Sequence, residues 1–259
     1  MVPPSRAEPT AGIDEPAYSA HNLSLSSFAA TMMGASRLAL DYARRAARHA
    51  DLTIARSNPR VEAMTPVYYQ TLVTFGRWKE ILATPLPRPE FRFAIAMAYY
   101  ARGVAFAAKG RLAEARSALD TVGAISGRFP AGENGTALQI AAHALAGEID
   151  LRRGAVSSAV QQFRAALALE DKLAYAAPPT WYYPIRQSLG KALLAADRPG
   201  DAEAVYRQDL DRFPENGWSL SGLTESLLRQ GRRPEAREVK RKFERAWFHA
   251  DVRLRASRF

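Results

Sequence analysis

Gly110-Arg111-Leu112-Ala113-Glu114-Ala115 is one copy of a pattern that recurs along the chain. A glycine or aspartate opens a turn, and five residues later comes a small apolar residue. The same frame holds Gly34…Ala39, Gly76…Ile81, Gly154…Ala159, Asp197…Ala202 and Gly231…Ala236. The openings are 42, 34, 44, 43 and 34 residues apart. A period in this range marks a stack of supersecondary units, each too small to bury its own apolar face. Seven residues before the turn lie Gly103, Gly147 and Gly190; nine after it lie Leu119, Phe163 and Tyr206. Small residues let two helix axes approach closely, and a large one then fills the neighbouring groove.

Between the turns the residues favour helix. Phe93–Ala108 and Ala137–Arg152 are Ala-rich. Breakers separate them at Ser57–Pro59, Thr84–Pro89, Gly127–Gly135 and Ala177–Pro179. No stretch alternates convincingly as a strand. Small residues at helix crossings, a large residue behind them and a closing Phe213-Pro214 resemble the tetratricopeptide repeat (TPR). The resemblance implies an all-α, right-handed superhelix of about six helical hairpins. It is clearest over residues ~93–247 and less regular over ~21–85. The strings Tyr18–Leu23, Phe75–Leu82, Trp181–Gly190 and Arg212–Leu220 further resemble the carboxy-terminal half of longer bacterial TPR proteins of unassigned activity. Residues 1–17, rich in Pro, Ala and acids, read as an extended or disordered arm, and 18–259 as one superhelical domain. Lys240–Ala250 reads as a basic capping helix.

Composition narrows the chemistry. The 259 residues contain no Cys, which excludes disulfides, iron–sulfur clusters and cysteine nucleophiles. Four His are too few for a site of imidazoles alone, and none shows a local zinc spacing. No phosphate-binding glycine loop and no nucleophile elbow is present. No basic, apolar leader and no run of ~18 apolar residues stands out, so a cytoplasmic protein with no membrane partner is expected. The net charge is +10, and eleven Lys or Arg against four acids lie between Arg229 and Phe259. A basic end of this kind suits a solvated helix end, or else nucleic acid, an acidic partner or an anionic membrane surface, and a nucleic-acid-associated regulatory module is the third reading of function. Phe243, Trp247 and Phe248 there read as the apolar stripe of an amphipathic helix, so nucleic acid is not the favoured partner.

The resemblance implies a concave groove lined by the first helix of each hairpin, suited to a protein or peptide segment. The residues expected to serve it are Tyr100, Glu148, Trp181, Tyr182, Arg186, Gln187, Lys191 and Trp218. Three consecutive aromatics at Trp181–Tyr183 cannot all face one side of a helix start. They belong either in the groove or in a plug between units. Arg186 either clamps an anionic group or pairs with an acid of its own chain. The rival reading is a metal-dependent enzyme or small-molecule binder in the same groove, with Tyr18, His21 and His143 as ligands. His21-Asn22 alternatively caps the first helix. No catalytic residue is assigned, no cofactor is expected, and the outer helix faces admit a homo-oligomer.

Overall fold

The computed structural model describes residues 15–49, 55, 58–254 and 256–258. Among them thirteen helices occur and no strand. They are α1 (Glu15–Met32), α2 (Ser36–His49), α3 (Pro59–Met64), α4 (Val67–Thr74) and α5 (Trp78–Ala83), followed by α6 (Arg92–Ala108) and α7 (Leu112–Ser126). Then come α8 (Glu133–Arg152), α9 (Val156–Glu170), α10 (Ile185–Ala195), α11 (Pro199–Arg212), α12 (Gly217–Arg229) and α13 (Arg233–Ala246). Six hairpins result: α1–α2, α4–α5, α6–α7, α8–α9, α10–α11 and α12–α13.

Each repeated turn closes its hairpin in the same way. Gly34, Gly76, Gly110, Gly154 and Gly231 have φ between +62° and +80°, and Asp197 has φ +53°. This left-handed conformation costs a residue with a Cβ and suits glycine. After every turn residue, the next N–H returns to a carbonyl five residues back. The bonds are Ala35 to Ala30, Arg77 to Leu72, Arg111 to Phe106, Ala155 to Asp150, Arg198 to Leu193 and Arg232 to Leu227, at 2.8–3.0 Å. This is the Schellman closure, which satisfies carbonyls that the helix end leaves open. The apolar residue five positions into the turn is buried in every hairpin: Ala39, Ile81, Ala115, Ala159, Ala202 and Ala236.

Two of the three predicted small–large pairs meet. A Cβ on Gly147 would lie 2.8 Å from the Phe163 ring. The Tyr206 ring occupies the space that a Cβ on Gly190 or Gly222 would need, so it is held between α10 and α12. Gly103 instead receives Leu145 of the next unit, with Ala118 at 3.2 Å.

Curvature follows from which helices touch. Successive first helices pack together at α4–α6, α6–α8 and α10–α12, and successive second helices share no comparable contact. The first helices therefore form the tighter, inner face, and the second helices fan outwards.

Two boundaries depart from expectation. Helix α1 begins at Glu15, so His21 and Asn22 lie inside it and do not cap it. Residues 1–14 of the predicted arm lie outside the described residues. The basic helix expected over Lys240–Ala250 is the end of the sixth hairpin's second helix, which stops at Ala246, and the described residues after it turn back.

The turned-back segment and α1 close the array. Trp218 on α12 donates its indole N–H to the Thr31 carbonyl on α1 at 2.9 Å. The Phe28 ring packs edge-on against Tyr182 and Phe213, with centroids 5.7 and 5.9 Å apart. Trp247 meets Trp218 edge-on at 5.3 Å, and its ring fills the space beside Gly34 and Gly217. Asp251 accepts the Ser36 and Arg37 backbone N–H groups at 2.6 and 2.9 Å, at the start of α2. First and last hairpins thus share one seam.

Candidate functional site

The inner face is built from α4, α6, α8, α10 and α12, and it is occupied. Tyr182, in the loop before α10, donates its hydroxyl to Ser27 Oγ of α1 at 2.6 Å. Ser27 in turn donates to the Ala39 carbonyl at 2.9 Å. Burial raises the Tyr182 pKa, so the hydroxyl keeps its proton and acts as donor. Trp181 lies buried between Tyr100 and Tyr183, with ring centroids 5.5 and 5.1 Å away. The three consecutive aromatics thus join α1, α6 and α10 and form a plug.

The remaining expected residues fall into two groups. Arg186 is committed to its own chain, with two hydrogen bonds to the Asp171 carboxylate at 2.8 and 2.9 Å. Trp218 belongs to the closing seam. Gln187 and Glu148 are buried, and Lys191 lines the open cleft. Gln187 Nε2 reaches Asp209 at 3.4 Å, and Lys191 Nζ lies 4.0 Å from Glu148.

Against Gln187 and Tyr183 lie the chain's own Ser257 and Arg258. Ser257 donates its hydroxyl to the Gln187 carbonyl at 3.0 Å. Tyr206, reaching between α10 and α12, meets the same Ser257 oxygen at 2.6 Å. The Arg258 guanidinium lies 3.9 Å from the centre of the Tyr183 ring, and the side chain is buried. Leu254, Ala256 and Ser257 form one wall of an open cleft of about 510 Å³. Lys191, Ser221, Glu225 and Lys240 form the other.

Behind the groove is a buried polar cluster that sequence reasoning did not assemble. Asp209 Oδ2 accepts from Ser219 at 2.6 Å and from Asn216 at 3.3 Å. Glu170 accepts the Ile185 N–H, at the start of α10, at 3.1 Å. Burial, with the Asp209 charge added, pushes the Glu170 carboxyl up to about 8. Asp209 is raised as well, chiefly by burial. Glu170 and Asp209 are 39 residues apart in sequence, and no local spacing announces them.

The suggested metal ligands are not brought together among the described side chains. His143 Nδ1 lies 2.8 Å from Gln162 Oε1 on α9. His21 lines a separate cavity of about 410 Å³, with Gln70, Asn134 and the loop around Pro178. Tyr18 is on α1, but its side chain lies outside the described residues. Among the described residues no group of three or more His, Cys, Asp or Glu is arranged to hold a metal ion.

Part of the basic end is paired within the chain. Arg232 bridges Glu203 at 2.6 Å and also pairs with Glu235. Lys240 and Lys242 face Glu244 and Glu238 one turn away, at 3.8 and 4.0 Å. Phe243 stacks on Trp247 at 5.7 Å beside the seam and also lines the open cleft. No helix among the described residues is long and apolar enough to cross a membrane.

The fold is TPR-like. No family model and no curated protein matches the chain. Among solved structures it is similar to nearly identical TPR-like repeats from a chain attributed to the kinesin light chains of Podosopora anserina. That match has 18% identity, covers 91% of this chain and 97% of the other, and has a TM-score of 0.46. The hairpin architecture stands on the turns and packing described above.

Proposed function

We propose that this protein is a non-enzymatic scaffold that binds an extended protein or peptide segment on the inner face of its hairpin array. One observation carries the reading: the chain's own Ser257 and Arg258 lie against that face, with Ser257 held by the Gln187 carbonyl and Tyr206. A surface that holds one extended segment through a backbone carbonyl and side-chain pockets has the chemistry to hold another. The adjoining cleft of about 510 Å³ is open and mixes Leu194, Leu228 and Phe243 with Lys191, Glu225 and Lys240.

The test is a display selection of random dodecapeptides on the immobilised protein. Enriched peptides should lose binding when Ser221→Trp or Glu225→Arg alters the cleft wall. No enrichment, or binding indifferent to both substitutions, overturns the scaffold reading.

A second reading, a small-molecule binder, draws on the His21 cavity of about 410 Å³, whose volume suits a small ligand. Ser24 in its wall is buried, and its hydroxyl has no partner. A screen of small polar metabolites by thermal shift, with His21→Ala as control, tests it. A shift in the wild type that the variant lacks supports this reading, and no shift removes it.

A further inference from the structure

Arg258 is the most unusual group on the inner face. A guanidinium is strongly hydrated in water, and burying one calls for a full set of acceptors. Here the buried side chain rests on the face of Tyr183 at 3.9 Å, a cation–π contact. Its Nη1 has no hydrogen-bond partner. Glu148 is the acid that acts on it, and it does so at a distance, without forming an ion pair with it. Tyr183 contributes its ring, and its own hydroxyl is also buried without a partner. The pocket therefore meets a cation through an aromatic face, with Glu148 acting on it from a distance beside Lys191, and Arg258 fills it imperfectly.

The position next to it is equally defined. Ser257 satisfies Tyr206 and the Gln187 carbonyl together, one bond accepted and one donated. Tyr206 reaches this point only because Gly190 and Gly222 leave room for its ring. A hydroxyl followed by a cation is what these two positions accept.

We propose that the groove takes a partner protein's extended segment carrying a Ser-Arg pair, and that the chain's own 257–258 pair is a resident competitor which that partner displaces. The proposal rests on the scaffold reading and adds the partner's chemistry to it. The resident is replaceable because its cation is under-satisfied, and a partner arginine that reaches Glu148 directly improves on it. The open cleft beside Leu254 and Ala256 gives the incoming segment a place to land before the tail leaves. A tethered competitor acts at a high effective concentration, which sets a threshold for the partner.

The experiment uses the full chain and a fluorescein-labelled peptide of residues 248–259, read by anisotropy. The Arg258→Ala chain is expected to bind this probe at least tenfold more tightly than the wild type. A probe with alanine in place of its Ser-Arg arginine should bind neither chain. Adding Glu148→Gln to Arg258→Ala should return affinity to the wild-type level. If Arg258→Ala does not fold, Ser257→Ala loosens the tail by removing only the Ser257 hydrogen bonds, with the same expected gain. Equal binding by wild type and variant, or undiminished binding of the alanine probe, overturns the proposal. Selected dodecapeptides that bind the cleft but lack a cation also overturn it, and they leave the scaffold reading standing.

Discussion

Asp251 caps the helix that begins at Ser36, although 215 residues separate them. Both carboxylate oxygens accept backbone N–H groups at the start of α2, and Arg37 Nε adds a contact at 3.2 Å. A helix start leaves several N–H groups without intrahelical partners, and a carboxylate there also meets the positive end of the helix dipole.

Replacing Asp251 with alanine should cost about 1–2 kcal/mol, the range for loss of an N-terminal cap. The two N–H bonds hold the Asp251 carboxyl below its ordinary value of 3.8. Its contribution is therefore complete above that value and is lost as pH falls through the lowered folded-state pKa. Urea titrations at pH 7 and in the acid range check both statements. A wild-type advantage at pH 7 that does not shrink on acidification contradicts the cap.

Gly217→Ala should cost about 1–3 kcal/mol, since the added methyl overlaps the Trp247 ring and forces the seam apart. The cost should fall by at least ~1 kcal/mol in a Trp247→Leu background, because contacting residues couple in a double-mutant cycle. Additive effects in that cycle would mean that the ring does not fill this space in solution.

Thermal stability should fall from pH 6 to pH 9. Glu170 is raised from 4.5 to about 8, so the folded state holds a proton that the unfolded state releases. Its stabilisation is complete below about 4.5 and is lost as pH rises through about 8. The slope in that window is at most about 1.4 kcal/mol per pH unit for one proton. Asp209 shifts in the same direction, while Arg186, Arg212 and the Ile185 N–H oppose the Glu170 shift. Glu170→Gln should flatten the profile. An unchanged slope in the variant would assign the dependence to another group.

Asp197→Gly should stabilise the protein by up to ~1 kcal/mol. Asp197 holds φ +53°, where the other five repeated turns carry glycine. Relief of the left-handed strain outweighs the extra freedom that glycine gains in the unfolded chain. A drop in melting temperature would show that the Asp197 side chain contributes more than its backbone costs.

Much of the architecture was legible because it repeats. Six turn residues, six buried residues behind them and the Gly147–Phe163 and Gly190–Tyr206 pairs are each set by short-range spacing. The start of α1 was misread: the expected arm takes in Glu15-Pro16, although an acidic first turn with proline is a stronger start signal than His21-Asn22. The groove was less legible. Residue type gives Arg186 the capacity to clamp a carboxylate, and only the fold shows that the carboxylate belongs to Asp171. The closure left no periodic trace, since Trp247 with Gly34 and Asp251 with Ser36 are single contacts between distant stretches. Tyr183, Ser257 and Arg258 stood outside any repeat frame for the same reason.

The shared seam also changes how the molecule comes apart. In an open stack each unit leans only on its neighbours, and terminal units fray first. Here the first hairpin is also a neighbour of the last, through Trp218, Trp247 and Asp251. Releasing either outer hairpin exposes two faces instead of one. The array loses its weak ends and melts as one cooperative ring.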